Sequence, residues 1–228
     1  MLRRWIQIAA VFLSNANWKF PFTRNIYQGE LKAVCTPGLN CYSCPAATGA
    51  CPLGAIQNFM AGVRPSFTPG HPHLGLYVIG FLGFIGSIAG RMPCAWLCPF
   101  GLMQELIHKI PSRKFAIPKV LTYGKYVFLA LFIFILPLMA VDEFEYGAPW
   151  FCKYLCPAGT LEAGIPLMAL KPELREMIGW LFYSKLFWLG IFLLWMVFSK
   201  RPFCRTICPL GAIYSLFNRI SVFKMVYH

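Results

Sequence analysis

Acidic residues are scarce in this chain: its 228 residues include only 8 aspartates and glutamates, and charged residues of both signs make up 13% of it. A soluble domain of this size normally carries more charge, so the shortage argues against one. The sequence also lacks a Gly-rich nucleotide fingerprint, a hydrolytic triad and a haem-attachment C-x2-C-H, which removes three common routes to enzymatic chemistry. It has no low-complexity repeat and no long flexible linker, and no histidine lies within its recurrent cysteine phrases.

What is abundant is apolar. Hydrophobic residues make up 58% of the chain, aromatics 17%, and the mean hydropathy is +0.58. That composition predicts an all-α membrane protein. Three apolar stretches, about 73–90, 122–141 and 178–199, approach the length needed to span a hydrocarbon core of roughly 30 Å. A fourth, about 5–22, is interrupted by Asn15, Asn17 and Lys19. Arg3 and Arg4 before it and Ser14-Asn15-Ala16 within it resemble a signal peptide, but Trp18, Phe20 and Phe22 continue the apolar run and favour a retained anchor. The expectation is therefore about four transmembrane helices plus short interfacial or re-entrant ones.

The net charge of +13 comes from basic residues beside apolar runs, not from a polar basic tail, which points to the membrane surface and not to nucleic acid. With four crossings, one side receives thirteen Lys and Arg and only Glu105 as acid, whereas the other receives eight basic and seven acidic residues. Lys and Arg are enriched in cytoplasmic loops, so both termini are expected on the cytoplasmic side of the inner membrane.

Ten cysteines stand against this background. Three complete C-x3-C-P-x-G phrases occur at Cys94–Gly101, Cys152–Gly159 and Cys204–Gly211. A partial fourth, Cys51-Pro52-Leu53-Gly54, has Cys35, Cys41 and Cys44 upstream. Thiolates four residues apart can face one site, and Pro suits the first position of a helix because its missing N–H needs no partner. Such a helix aims its dipole and free N–H groups at the sulfurs. A C-x3-C-P ending is also found in ferredoxin-type ligand runs, so an iron–sulfur cluster is preferred to structural zinc or disulfides.

The expected topology sorts these thiols into two sets. Cys94, Cys98, Cys204 and Cys208 share the inner side and form one four-thiolate set, whereas Cys35, Cys41, Cys44, Cys51, Cys152 and Cys156 share the outer side. The steps from Cys51 to Cys98 and from Cys156 to Cys208 are similar, which reads as one membrane domain over 1–228 built from two halves, about 27–115 and 142–224. By that symmetry the outer set uses Cys51, Cys152, Cys156 and a displaced ligand. Cys44 is favoured, Cys41 or Cys35 being the alternatives, and Cys35 and Cys41 form a candidate disulfide. Segments 53–63, 100–110, 161–170 and 210–220 read as amphipathic helices over the sites.

These phrases in a multispanning chain resemble the polyferredoxin-type membrane iron–sulfur proteins. That group includes the quinol dehydrogenase membrane subunit of periplasmic nitrate reductase and the membrane part of the nitrous-oxide reductase maturation regulator. The resemblance rests on residues 91–101, 201–211 and 151–159. It implies two [4Fe–4S] clusters, one near each membrane face, in an electron-transfer component of an oxidoreductase complex. It also implies a quinol or ferredoxin-like donor, other redox subunits as partners and a bound quinone. This chain departs from the pattern in ending at His228 without a ferredoxin-like C-terminal domain and in having the extra outer cysteines. Two other readings are a thiol–disulfide relay through Cys152/Cys156 and Cys94/Cys98, and a structural subunit braced by clusters or zinc. His71, His73 and His108 suit interfacial packing or proton release, and Asp142, Glu143 and Glu145 a solvated loop or a guide for a basic partner.

Overall fold

Cys-Pro steps start four of the helices, and this repeated beginning organises the molecule. The computed structural model describes residues 2–62, 73–143, 146–176 and 178–223; these residues form helices and turns, with two isolated β-bridges and no strand. Helix α1 is Leu2–Ser14, α2 is Pro52–Ala61, α3 is His73–Ala89, α4 is Met92–Trp96 and α5 is Pro99–Ile107. The long α6, Lys119–Met139, opens with a 3₁₀ turn and widens to π-helical geometry over Leu129–Ile135. Residues 157–170 form α7, Trp180–Phe198 α8, Pro202–Thr206 α9 and Pro209–Phe217 α10.

Two helices, α6 and α8, are long and apolar enough to cross a membrane. At 1.5 Å per residue the 19 residues of α8 extend about 28 Å, close to the roughly 30 Å of a hydrocarbon core. Only 17% of the most apolar window of each is buried, and Val127, Phe134, Trp180, Phe187 and Leu194 stand exposed along them. Apolar side chains lining a helix without protein neighbours suit lipid better than water. The other two expected crossings are shorter. Helix α1 ends at Ser14 because the next asparagines hold backbone carbonyls of their own, Asn15 that of Val11 at 3.1 Å and Asn17 that of Pro45 at 2.8 Å. The apolar part of α3, Leu76–Ala89, stops where Gly90 turns left-handed at φ +52.

Helix α3 packs back along α2, and α8 packs along the start of α7. The two halves of the chain meet in an aromatic centre in which the ring of Phe203 lies 5.3 Å from Phe100 of α5, 5.4 Å from Phe192 and 6.3 Å from Phe151. All four rings are fully or almost fully buried. Phe151 and Phe203 each directly precede the first cysteine of a phrase, and Phe100 follows a Cys-Pro step. Packing of these rings thus holds the cysteine turns; truncation of Phe203 to alanine would cost about 3–5 kcal/mol.

Candidate metal centres

Each Cys-Pro cysteine is the N-cap of its helix in nearly the same extended conformation. The φ/ψ pairs are −76/121 at Cys51, −74/117 at Cys98, −66/108 at Cys156 and −61/113 at Cys208. Proline follows in the first turn every time. The glycine two residues beyond Pro157 donates its N–H back to the cysteine sulfur, Gly159 to Cys156 at 3.4 Å, and the equivalent Gly54, Gly101 and Gly211 amides favour the thiolates of Cys51, Cys98 and Cys208 without closing a cap hydrogen bond. At Cys156 this is N-capping with sulfur in place of oxygen, and at all four steps the positive helix end is directed at a thiolate.

One group comprises Cys41, Cys51, Cys152 and Cys156, which line a cavity of about 430 Å3. Burial pushes all four thiols up, Cys41 to about 12 and Cys51 to about 11, and neighbouring thiols push Cys152 and Cys156 up further. A Cβ added at Gly159 would project between sulfurs, 3.7 Å from Cys41 Sγ and 3.8 Å from Cys156 Sγ. Cys44 does not line this cavity: its sulfur lies 4.0 Å from Asn15 Oδ1, beside Lys32. Cys35 is buried on another side against Leu97 and Pro99. All ten cysteines are free thiols, Cys35 and Cys41 included.

The second group comprises Cys94, Cys98, Cys204 and Cys208. Burial raises each thiol, Cys204 to about 12, and the others in the group raise Cys94, Cys204 and Cys208 further. Cys94 and Cys204 open into a cavity of about 360 Å3 edged by Arg91, Lys125, Lys200, Arg201 and Arg205. Arg201 braces the turn by donating to Cys94 O at 2.9 Å and Ala95 O at 3.3 Å. Its Nε pairs with Glu105 at 3.0 Å, and Glu105 also takes Arg3 from α1 at 2.7 Å. Among the described residues, no three His, Cys, Asp or Glu side chains converge tightly enough to hold a single metal ion.

The sequence matches the 4Fe–4S binding domain family over residues 49–68, 71–118, 126–165 and 180–226, and each matched segment contains one of the Cys-Pro steps. The chain belongs to the 4Fe–4S binding domain family. Its relatives include the proposed electron transport protein YccM of Escherichia coli K12, 24% identical over 78% of this chain and 48% of YccM. The methylamine utilization ferredoxin-type protein MauN of Methylorubrum extorquens is 23% identical over 76% of this chain and 53% of MauN. The regulatory protein NosR of Stutzerimonas stutzeri is 27% identical over 57% of this chain and 16% of NosR. The chain thus spans about half the length of YccM and MauN and a smaller part of NosR. No solved structure matches it. Membership of this family and relatives of this kind agree with an iron–sulfur electron-transport protein.

Several residues around the sulfurs escape a search for ligand types. Gln57 and Gln104 are fully buried, and both follow a Cys-Pro cysteine by six residues, in a C-P-x-G-x2-Q pattern that the sequence contains twice. Gln57 Nε2 donates to Cys152 Sγ at 3.2 Å, and Gln104 Nε2 donates to Cys204 Sγ at 2.9 Å. The corresponding positions after Cys156 and Cys208 are Glu162 and Tyr214. Glu162 accepts the Cys41 N–H at 2.8 Å, and Tyr214 donates to Pro37 O at 3.2 Å, so both hold the 37–41 segment. Within it, Leu39 N–H donates to Cys98 Sγ at 3.4 Å, and the next amide, that of Asn40, lies close enough to Cys51 to favour its thiolate. Adjacent peptide groups therefore face one sulfur of each group. His108 Nδ1 lies 3.3 Å from Met196 O, a packing role, whereas His71, Glu145 and the His73 side chain lie outside the described residues.

Proposed function

We propose that this chain is a membrane electron-transfer protein that holds two [4Fe–4S] clusters and relays electrons between them. The proposed inner ligands are Cys94, Cys98, Cys204 and Cys208. The proposed outer ligands are Cys41, Cys51, Cys152 and Cys156, with Cys41 in preference to Cys44 because Cys41 shares the cavity with the other three. Zinc would need four sulfurs converging at about 2.3 Å on one ion, and among the described residues no such convergence occurs, which favours a polynuclear group. When bound, such a cluster accepts and returns one electron. The chain's contribution is to keep the thiolates dry, offset their charge with glycine N–H groups and helix ends, and exclude water.

The observation that carries the relay is the pair of adjacent amides at Leu39 and Asn40. Neighbouring peptide nitrogens are under about 4 Å apart, and the same segment lies against both turns, with Leu39 N–H bonded to Cys98 Sγ at 3.4 Å and Thr36 N–H to the carbonyl before Cys51 at 2.9 Å, so the two sulfurs are on the order of 10 Å apart. Two clusters confined to opposite membrane surfaces would be far more widely separated. The lining of the outer cavity by Lys185, the sixth residue of α8, supports a site sunk about 8 Å along that helix instead of beyond its end. On this reading α1 and α3 complete a four-helix membrane unit with α6 and α8, both termini are cytoplasmic, and the partner at the basic inner cavity is an acidic redox protein.

Anaerobic purification followed by iron and sulfide analysis tests the clusters, with about eight of each per chain expected for two. Electron paramagnetic resonance of the reduced chain then tests the relay. Two magnetically interacting signals are expected; absence of iron and sulfide would end the proposal, and two fully independent signals would end the relay.

A further inference from the structure

Gln57 and Gln104 are joined to the sulfurs by contacts whose orientation the backbone determines. Gln57 Oε1 accepts two N–H groups, from Phe151 at 3.0 Å and Cys152 at 3.3 Å, so the oxygen must occupy that end and the NH2 must face Cys152 Sγ. For Gln104, the nitrogen lies 3.4 Å from the carbonyl of Phe100, an acceptor only, so the same atom that meets Cys204 Sγ must carry the hydrogens. A flip would oppose like groups on both sides of Gln57, and at Gln104, whose Oε1 has no partner, it would set oxygen against the Phe100 carbonyl and the sulfur. Both side chains are fully buried, so water does not compete for these donors.

We infer that Gln57 and Gln104 are potential-setting residues: each supplies one hydrogen bond to a single thiolate of one cluster and raises that cluster's reduction potential independently of the other. The inference rests on the two-cluster reading above. Reduction adds negative charge, part of which falls on the sulfurs, so an N–H donor stabilises the reduced form more than the oxidised form. The two glutamines come from the first half of the chain and reach the first cysteine of a C-x3-C-P phrase in the second half in both cases. The same device therefore acts on both sites across the interface between halves. It does not extend to the second half's own equivalents, since Glu162 and Tyr214 are turned to the 37–41 segment.

The test is a redox titration of the intact chain followed by electron paramagnetic resonance, with the clusters assigned from the Cys41→Ser variant, which should retain the inner one. Gln57→Met should lower the outer potential alone and Gln104→Met the inner potential alone. Losing one charge-assisted hydrogen bond should change the reduced-to-oxidised ratio on the order of tenfold at a fixed potential, or about 59 mV for a one-electron couple. Ser199→Ala is the packing control: Ser199 is also buried, but its Oγ donates to Phe115 O at 3.0 Å, and its loss should move neither potential. The unaltered chain provides a readout that does not depend on a variant folding. With glutamine 15N-labelled at the side-chain amide, each reduced cluster should show nitrogen hyperfine coupling. Unchanged potentials in both methionine variants, equal shifts in the control, or no coupling in a chain that contains its iron would overturn the inference while leaving the two-cluster reading intact. A wild-type chain without iron and sulfide would overturn that reading first.

Discussion

Gly38 is the position at which the contact between the two groups can be tested with a single methyl. A Cβ built there would lie 2.8 Å from Cys98 Cα, 3.2 Å from Pro99 Cδ and 3.3 Å from Cys98 Cβ. Carbon atoms pack comfortably at about 3.5–4.0 Å, so Gly38→Ala requires about 0.7 Å of movement. Cys98 is poorly placed to yield, because it caps α5, its N–H is bonded to Pro93 O at 3.1 Å, and Phe100 beyond it packs against Phe203. The 37–41 segment must retreat instead. That would stretch the 3.4 Å contact from Leu39 N–H to Cys98 Sγ to about 4.1 Å and draw Asn40 N–H from Cys51. Overpacking of this kind costs about 1–3 kcal/mol, most of which should appear as a lower unfolding midpoint. The inner potential should fall through loss of one donor, and the magnetic interaction between the clusters should weaken. Gly54→Ala is the matched control, since a Cβ there meets nothing nearer than Cys51 Cβ at 3.9 Å. Wild-type potentials and spectra in a stable Gly38→Ala chain would refute the argument that this segment joins the sites.

Three further outcomes follow from the same geometry. Cys41→Ser should reduce iron from about eight to about four per chain, whereas Cys44→Ser should leave it unchanged; iron and sulfide assays on the two proteins decide which cysteine is the outer ligand. Glu105→Gln should leave Arg201 and Arg3 without their shared partner, lower the thermal midpoint in detergent and speed proteolysis near α1, because removing one member of a largely buried ion pair costs several kcal/mol at most, about 3–5 when burial is complete. Lys200→Glu with Arg205→Glu changes exposed charges at the mouth of the inner cavity. It should slow reduction by an acidic ferredoxin at low salt, with the difference from wild type fading as salt rises, as measured by stopped-flow absorbance.

Much of the helical framework was legible because it depends on local rules. A Cys-Pro step prevents a helix from continuing into the preceding residue and favours one beginning after it, and all four such steps start helices. The apolar runs of α6 and α8 likewise needed only length and composition to be seen. Contacts distant in sequence were not legible. Cys41 and Cys44 are equivalent by spacing, and what distinguishes them is the Glu162 carboxylate on Cys41 N–H, 121 residues away, against the Asn15 and Lys32 surroundings of Cys44. Nor does periodicity show that the outer cysteines lie beside the inner ones. That follows from the folding back of α3 on α2 and from the 37–41 segment threading between the Cys-Pro turns.

The residue six places after each Cys-Pro cysteine explains why neither half would make a complete site alone. Gln57 and Gln104 in the first half are turned to sulfurs of the second half, Cys152 and Cys204. Glu162 and Tyr214 in the second half are turned to the 37–41 segment of the first half, whose amides meet Cys51 and Cys98. Each half thus orders the sulfur surroundings of the other through side chains at one equivalent position. Equal glutamines at all four positions would leave the carbonyl of Pro37 without the Tyr214 hydroxyl and the N–H of Cys41 without a carboxylate. The 37–41 segment would then keep its sulfur contacts and the bond from Asn40 Nδ2 to Ser14 O at 3.2 Å but lose both ties to the second half. Divergence at this position therefore fits a chain in which an added segment joins two sites, and it ties the fixed spacing of the cysteine phrases to the path between them.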